Sequence, residues 1–144
     1  MSEENVHKDF HGALSYGIQH VVDNFGLDVL HRYLDGLADT VYAPLVKALR
    51  ADGLDAMCQH LEQTFTREQG HYEVRREGET LVFDVKECPA IAHMKAQGYA
   101  IAPHFCEHTR ILNDAICRRA GYACSVDYDQ EAGQCVQRFW KEDA

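Results

Sequence analysis

The sequence has little proline, few cations, no long apolar run and no closely paired cysteines, and each shortage excludes something. Three prolines in 144 residues, with no low-complexity stretch, leave no proline-rich linker between domains. The 14 lysines and arginines are outnumbered by 23 aspartates and glutamates, giving a net charge of −9, which argues against a surface for nucleic acid or an anionic membrane. The longest apolar stretches fall well short of the ~20 residues that span a bilayer. Met1-Ser2-Glu3-Glu4 offers neither the basic start nor the apolar run of a secretory signal, so a cytoplasmic location is expected. None of the six cysteines forms a C-x-x-C pair, and in an acidic chain without secretory features they are expected as free thiols or ligands rather than a disulfide framework.

What is present suits one domain, spanning 1–144: the chain is 46% hydrophobic, enough to bury a single core. In the first half Val6, Phe10, Ala13, Leu14, Gly17, Val21 and Phe25 recur every three or four residues, predicting a helix from about Glu4 to Asn24 that Gly26 breaks. Leu27, Leu30, Leu34, Leu37, Val41, Leu45 and Leu49 keep the same period, as two helices or one kinked at Pro44. Asp52 is placed to cap a further helix carrying Leu54, Met57, Leu61 and Phe65 and ending near Gly70. From Gly70 the period becomes two. Tyr72 and Val74, then Leu81, Phe83 and Val85, share one side across a Glu77-Gly78-Glu79 turn. Helices are expected from Pro89 to about Gln97 and from Pro103 to about Ala120. Tyr122, Cys124, Val126 and Tyr128 then alternate with polar neighbours, and a last strand runs from Cys135 toward Trp140. The expected fold is α+β. A helical half over 1–70 precedes two β-hairpins over 71–144, which form one four-stranded antiparallel sheet with two intervening helices.

The chemistry-bearing stretch is Glu87 to His108. Proline favours the first helical position, so Cys88 falls at the N-cap of a helix from Pro89 and Cys106 in the first turn of one from Pro103. Free N–H groups and the helix dipole favour thiolates there. With Phe105 at the centre of the buried face, Thr109, Leu112 and Ile116 share it; Cys106, Asn113 and Cys117 form one flank and His104, His108 and Ala115 the other. Arg110 lies one turn after Cys106, where its guanidinium could further favour a thiolate. Cys117, ~16 Å along the axis from Cys106, is expected to pack, as is Cys124. For Cys88 and Cys106 a reactive thiol stands beside the plainer reading of an inert buried one. Between Lys86 and Ala120 five cations face three carboxylates, with His93, His104 and His108 in addition, which suits a small anionic ligand such as a carboxylate.

His104-Phe105-Cys106-Glu107-His108 also fits H-x-x-E-H, the inverted zinc-protease pattern, although Glu107 faces away from the core on the helical wheel. A mixed zinc or iron site would draw on Cys88, Cys106, His108 and Cys135. His7 and His11 are expected to face solvent or be satisfied locally.

Cys88-Pro89 after a strand, Phe105-Cys106 some eighteen residues on, and Gly133-Gln134-Cys135 entering a strand that holds Phe139 together resemble the L-2-amino-thiazoline-4-carboxylic acid hydrolase-like family of small bacterial proteins. The likeness covers roughly Leu81 to Trp140. The order of elements is also similar to vinyl-reductase-type small-ligand domains and the related vesicle-tethering subunits. The resemblance implies a hydrolase of a small carboxylate-bearing cyclic amidine or thioimidate. Cys106 would be nucleophile or thiolate ligand, His104 or His108 the acid/base partner, Arg110 a charge partner and Cys88 a second thiol in the same pocket. The alternative is a non-catalytic small-ligand or metal-binding sensor on the same scaffold. No cofactor is specified, and self-association as a homo-oligomer is left open.

Overall fold

The structure, a computed structural model, describes residues 7–142. The N-terminal Met1-Ser2-Glu3-Glu4 and the predicted helical positions Glu4 to Val6 lie outside them. The first helix, α1 (Phe10–Phe25), turns Ile18 inward and ends where Gly26 takes φ 90° and ψ 168°, a conformation open almost only to glycine. Helix α2 (Leu27–Gly36) buries Leu30 and Leu34, and a 3₁₀ turn over Leu37–Asp39 separates it from α3 (Ala43–Asp52). The second apolar series is thus two helices. The break precedes Pro44, which sits in the first turn of α3 where its missing N–H costs nothing.

Asp52 does not cap the next helix. It ends α3, and Gly53, at φ 75°, reverses the chain into α4 (Leu54–Arg67). At φ 75° and ψ −155° Gly53 occupies backbone space that residues with a side chain rarely adopt.

Strands β1 (His71–Glu77) and β2 (Thr80–Glu87) join through Gly78-Glu79, with Glu77 opposite Thr80 and Gly78 at φ 61°. Helix α5 (Pro89–Gln97) follows at once. Helix α6 (Glu107–Ala120) starts four residues later than Pro103 predicts, which leaves Cys106 at its N-cap rather than within its first turn. The reason lies outside the segment. Gln130 takes the Cys106 N–H on its side-chain oxygen at 2.9 Å and donates to the Ala102 carbonyl at 2.9 Å, holding 102–106 as tight turns. Phe105 N–H bonds to Ala102 O and His108 N–H to Phe105 O in the three-residue pattern.

Strands β3 (Tyr122–Asp129) and β4 (Gln134–Lys141) complete an antiparallel sheet of order β1-β2-β4-β3. The fold is α+β as the periodicity predicts. Helices α4 and α6 lie on the sheet, and Leu81, Phe83, Val85 and Phe139 are almost fully buried beneath them with Leu49, Met57 and Ile116. The outer face carries ion pairs instead: Arg75 to Asp84 at 3.2 Å, Lys86 to Asp84 at 3.0 Å and Arg138 to Asp127 at 3.1 Å. Val82 is fully buried on that face because its cross-strand neighbours are Arg75 and Arg138, whose aliphatic stems can cover it. Among the described residues no helix is long and apolar enough to cross a membrane.

Candidate functional site

Between the helices and the β3-β4 half of the sheet lies a cavity of about 260 Å³. Phe10, His11 and Leu14 of α1 wall one side, and Met57, His60, Leu61, Phe65 and Glu68 of α4 and its end wall another. Cys88 to Ile91 enter from the start of α5, and Phe105, Cys106, His108, Thr109, Leu112 and Asn113 from α6 and the turn before it. Val126, Tyr128, Cys135 and Gln137 form the floor.

Of the residues singled out in the sequence, Cys88, Cys106, His108 and Cys135 line this cavity, whereas His104 and Arg110 do not. The Cys88 and Cys135 sulfurs lie close enough to Cys106 to disfavour its ionisation, and Cys88 disfavours that of Cys135. They do not form a metal centre: among the described residues no three His, Cys, Asp or Glu side chains converge as a ligand set. The H-x-x-E-H arrangement is not formed either, since His104 lies in the turn before α6. Glu107 is drawn outward by Arg110 Nε at 2.6 Å and the Tyr128 hydroxyl at 2.8 Å.

The expected thiolates are absent for a physical reason. Cys88 does occupy the α5 N-cap but makes no side-chain cap hydrogen bond, and burial outweighs the favourable influence of the nearby Ile91 and Ala90 amides and pushes its thiol up. Cys106 is pushed up to about 12 by burial, with smaller contributions from the Cys88 and Cys135 sulfurs. Cys135 is pushed up to about 11, again by burial. Arg110 does not offset this, because the salt bridge to Glu107 takes its guanidinium to the outside. Cys117 is fully buried and shares a hydrogen bond with Cys124 that, with burial, raises its thiol. The local basic excess is also spent internally: Arg118 reaches Asp35 at 2.6 Å, and Arg119 reaches Asp35 at 2.9 Å and Asp39 at 2.7 Å. Among the described lining residues there is no lysine or arginine, and Glu68 is the one carboxylate.

Sequence reading missed the polar members of the wall. His11, expected to be solvent-facing or locally satisfied, reaches Glu68 across 57 positions at 2.6 Å, each side chain being 12% exposed. Its Nδ1 is buried without a partner. Asn113 donates to Gln137 at 2.9 Å, and both are nearly buried. Gln137 was visible as the one polar residue between Cys135 and Phe139 on an inward-facing strand position; His11 carried no such mark. His108 donates from Nδ1 to the Phe105 carbonyl, yet burial holds its pKa below the usual imidazole range, so the ring is neutral at pH 7. His60 is lowered and Tyr42 raised, both by burial.

Fold and site together define a two-layer α+β domain with a thiol-lined, largely apolar cavity between helices and sheet. Comparison with protein-family models, with curated proteins and with solved structures gave no match. The family resemblance therefore rests on the short motifs around Cys88, Cys106 and Cys135.

Proposed function

We propose that the protein binds a small, uncharged, largely apolar molecule in this cavity, as a ligand-binding or sensing domain. The observation that carries the reading is the character of the wall: hydrocarbon and aromatic side chains, protonated thiols, a neutral His108, and no fixed cation. A carboxylate, the ligand expected from the segment's charge, would enter beside Glu68 with no lysine or arginine to receive it. The volume of about 260 Å³ compares with the ~150 Å³ at which an apolar protein cavity already holds benzene, so a bicyclic ring is of the right size. Six free thiols suit a reducing, cytoplasmic setting.

Indole and indole-2-carboxylate, compared by thermal shift on wild type and on Cys106→Phe, test this. Indole should stabilise wild type and lose its effect when Phe fills the space; at 100 times Kd the gain is ~2.7 kcal/mol. A larger shift with the carboxylate, or one indifferent to Cys106→Phe, would overturn the reading.

One observation favours a second reading, a cysteine-dependent hydrolase of a small thiazoline-type ring. Cys88 at a helix start and the His11–Glu68 pair line the same cavity, supplying it with a thiol and a carboxylate-held imidazole. Turnover of a thiazoline carboxylate that Cys88→Ser abolishes while ligand binding survives would establish it.

A further inference from the structure

The geometry points to α1 as a hinged gate over the cavity, fastened at its N-terminal end by histidine–carboxylate latches; this rests on the ligand-binding reading above. Three features coincide on this helix. Its first turns supply one wall, through Phe10, His11 and Leu14. Its packing is confined to one stripe: of 16 residues only Ser15 and Ile18 are buried, with Leu14, Val21 and Val22 half-buried on the smaller apolar cluster, mainly against α2 and less against α5. The far end turns on Gly26, the single residue between α1 and α2, at φ 90° and ψ 168°.

Polar bonds fasten the other end in addition to this stripe. His11 Nε2 meets Glu68 at 2.6 Å. Asp9 accepts from His93 Nε2 at 2.8 Å and from the Tyr99 hydroxyl at 2.9 Å. Ser15 Oγ accepts from the Ala102 amide at 2.8 Å. A swing of α1 about Gly26 breaks these bonds and lifts Leu14, Ile18, Val21 and Val22 from the smaller apolar cluster, which they share chiefly with α2 and α5. Helices α4 and α6 and the sheet, where most of the larger of the two buried apolar clusters lies, keep their packing. A hinge that only glycine forms, a latch of side-chain bonds and a wall that belongs to the moving piece are the parts of a lid. Ligand entering and leaving through the same open state changes both rates with the open population and leaves Kd nearly constant.

The test follows 5-fluoroindole by fluorine NMR exchange, giving association and dissociation rates, with hydrogen exchange on the same samples. Asp9→Ala is the first variant, because Asp9 is exposed and does not line the cavity. It should raise both rates about threefold to tenfold, and Glu68→Ala, which removes a charge-assisted bond, by about tenfold or more. Amides of α1 should exchange faster while those of the sheet stay protected. Unchanged rates and unchanged α1 exchange in both variants would overturn the gate. If Glu68→Ala also loosens the sheet, the Asp9→Ala rates decide. Binding to wild type with rates indifferent to the latches removes the gate alone, whereas no binding to wild type removes the cavity reading and the gate with it.

Discussion

Alkylation of Cys106 measures directly whether burial or the helix start governs the cavity thiols. With its thiol at about 12, roughly 1 part in 10⁴ is ionised at pH 8, against roughly 1 in 4 for an ordinary thiol near 8.5. The more basic thiolate is intrinsically more nucleophilic, which returns a factor of ~40 on a Brønsted slope of ~0.45. Native Cys106 should therefore react ~60-fold more slowly than the same residue in urea. Cys135, at about 11, should be slowed ~20-fold by the same arithmetic. The assay is iodoacetamide labelling between pH 7 and 10, native and unfolded, resolved by residue in the mass spectrometer. Steric shielding lowers a whole rate profile without moving its midpoint. The diagnostic is therefore shape: native Cys106 should rise with unit slope through pH 10, while the unfolded profile levels off above ~9. A native plateau near 8.5, or a rate at pH 7 above that of the unfolded thiol, would refute the reasoning and restore a thiolate nucleophile.

Asn113→Ala should cost ~1–3 kcal/mol in urea unfolding because it strands the buried Gln137 oxygen, whereas Asn113→Leu with Gln137→Met should recover most of that; strictly additive single losses would contradict it. Burial lowers the His108 pKa below the ordinary imidazole value of about 6.5, so the unfolded chain binds the extra proton first as pH falls. Its contribution to stability is complete above about pH 6.5 and is lost as pH drops through the lower folded value. The Tm of wild type should decline between pH 7 and 5, and His108→Leu should flatten the decline, less than fully because His60 is lowered in the same direction. A slope unchanged in that variant would show that His108 titrates normally. Asp35, held below its usual range by Arg119 and Arg118, acts in a separate window: its stabilisation persists above about pH 3.8 and disappears further into acid, and Asp35→Asn should make that acid limb shallower without abolishing it, because Asp9, Asp39, Glu77, Asp84 and Glu107 are lowered in the same direction.

Much of the architecture was legible because it is local. The change from a three-to-four period to a period of two at Gly70 marks where helices end and strands begin, and Gly78 between alternating runs marks the first hairpin. Cys88-Pro89 announces α5 to the residue, since proline's ring sets the first helical φ without any distant partner. Pro103 carried the same signal and yielded turns instead, because the Gln130 side chain, 24 positions from Cys106, claimed the amide a helix would have used. The cavity residues divide in the same way. That Cys88, Cys106 and Cys135 sit near element ends follows from the pattern, but their state follows from desolvation, which depends on what packs around each sulfur. Arg110 had two partners within a turn, Cys106 and Glu107, and its choice of Glu107 is a matter of which side chain reaches solvent with it. The joining of His11 to Glu68 depends on α1 lying across the end of α4, and no spacing along the chain encodes a contact over 57 residues. Local backbone preference was thus decided by neighbours in sequence, while protonation and pairing were decided by neighbours in space, because electric fields and burial act through distance and not through the chain.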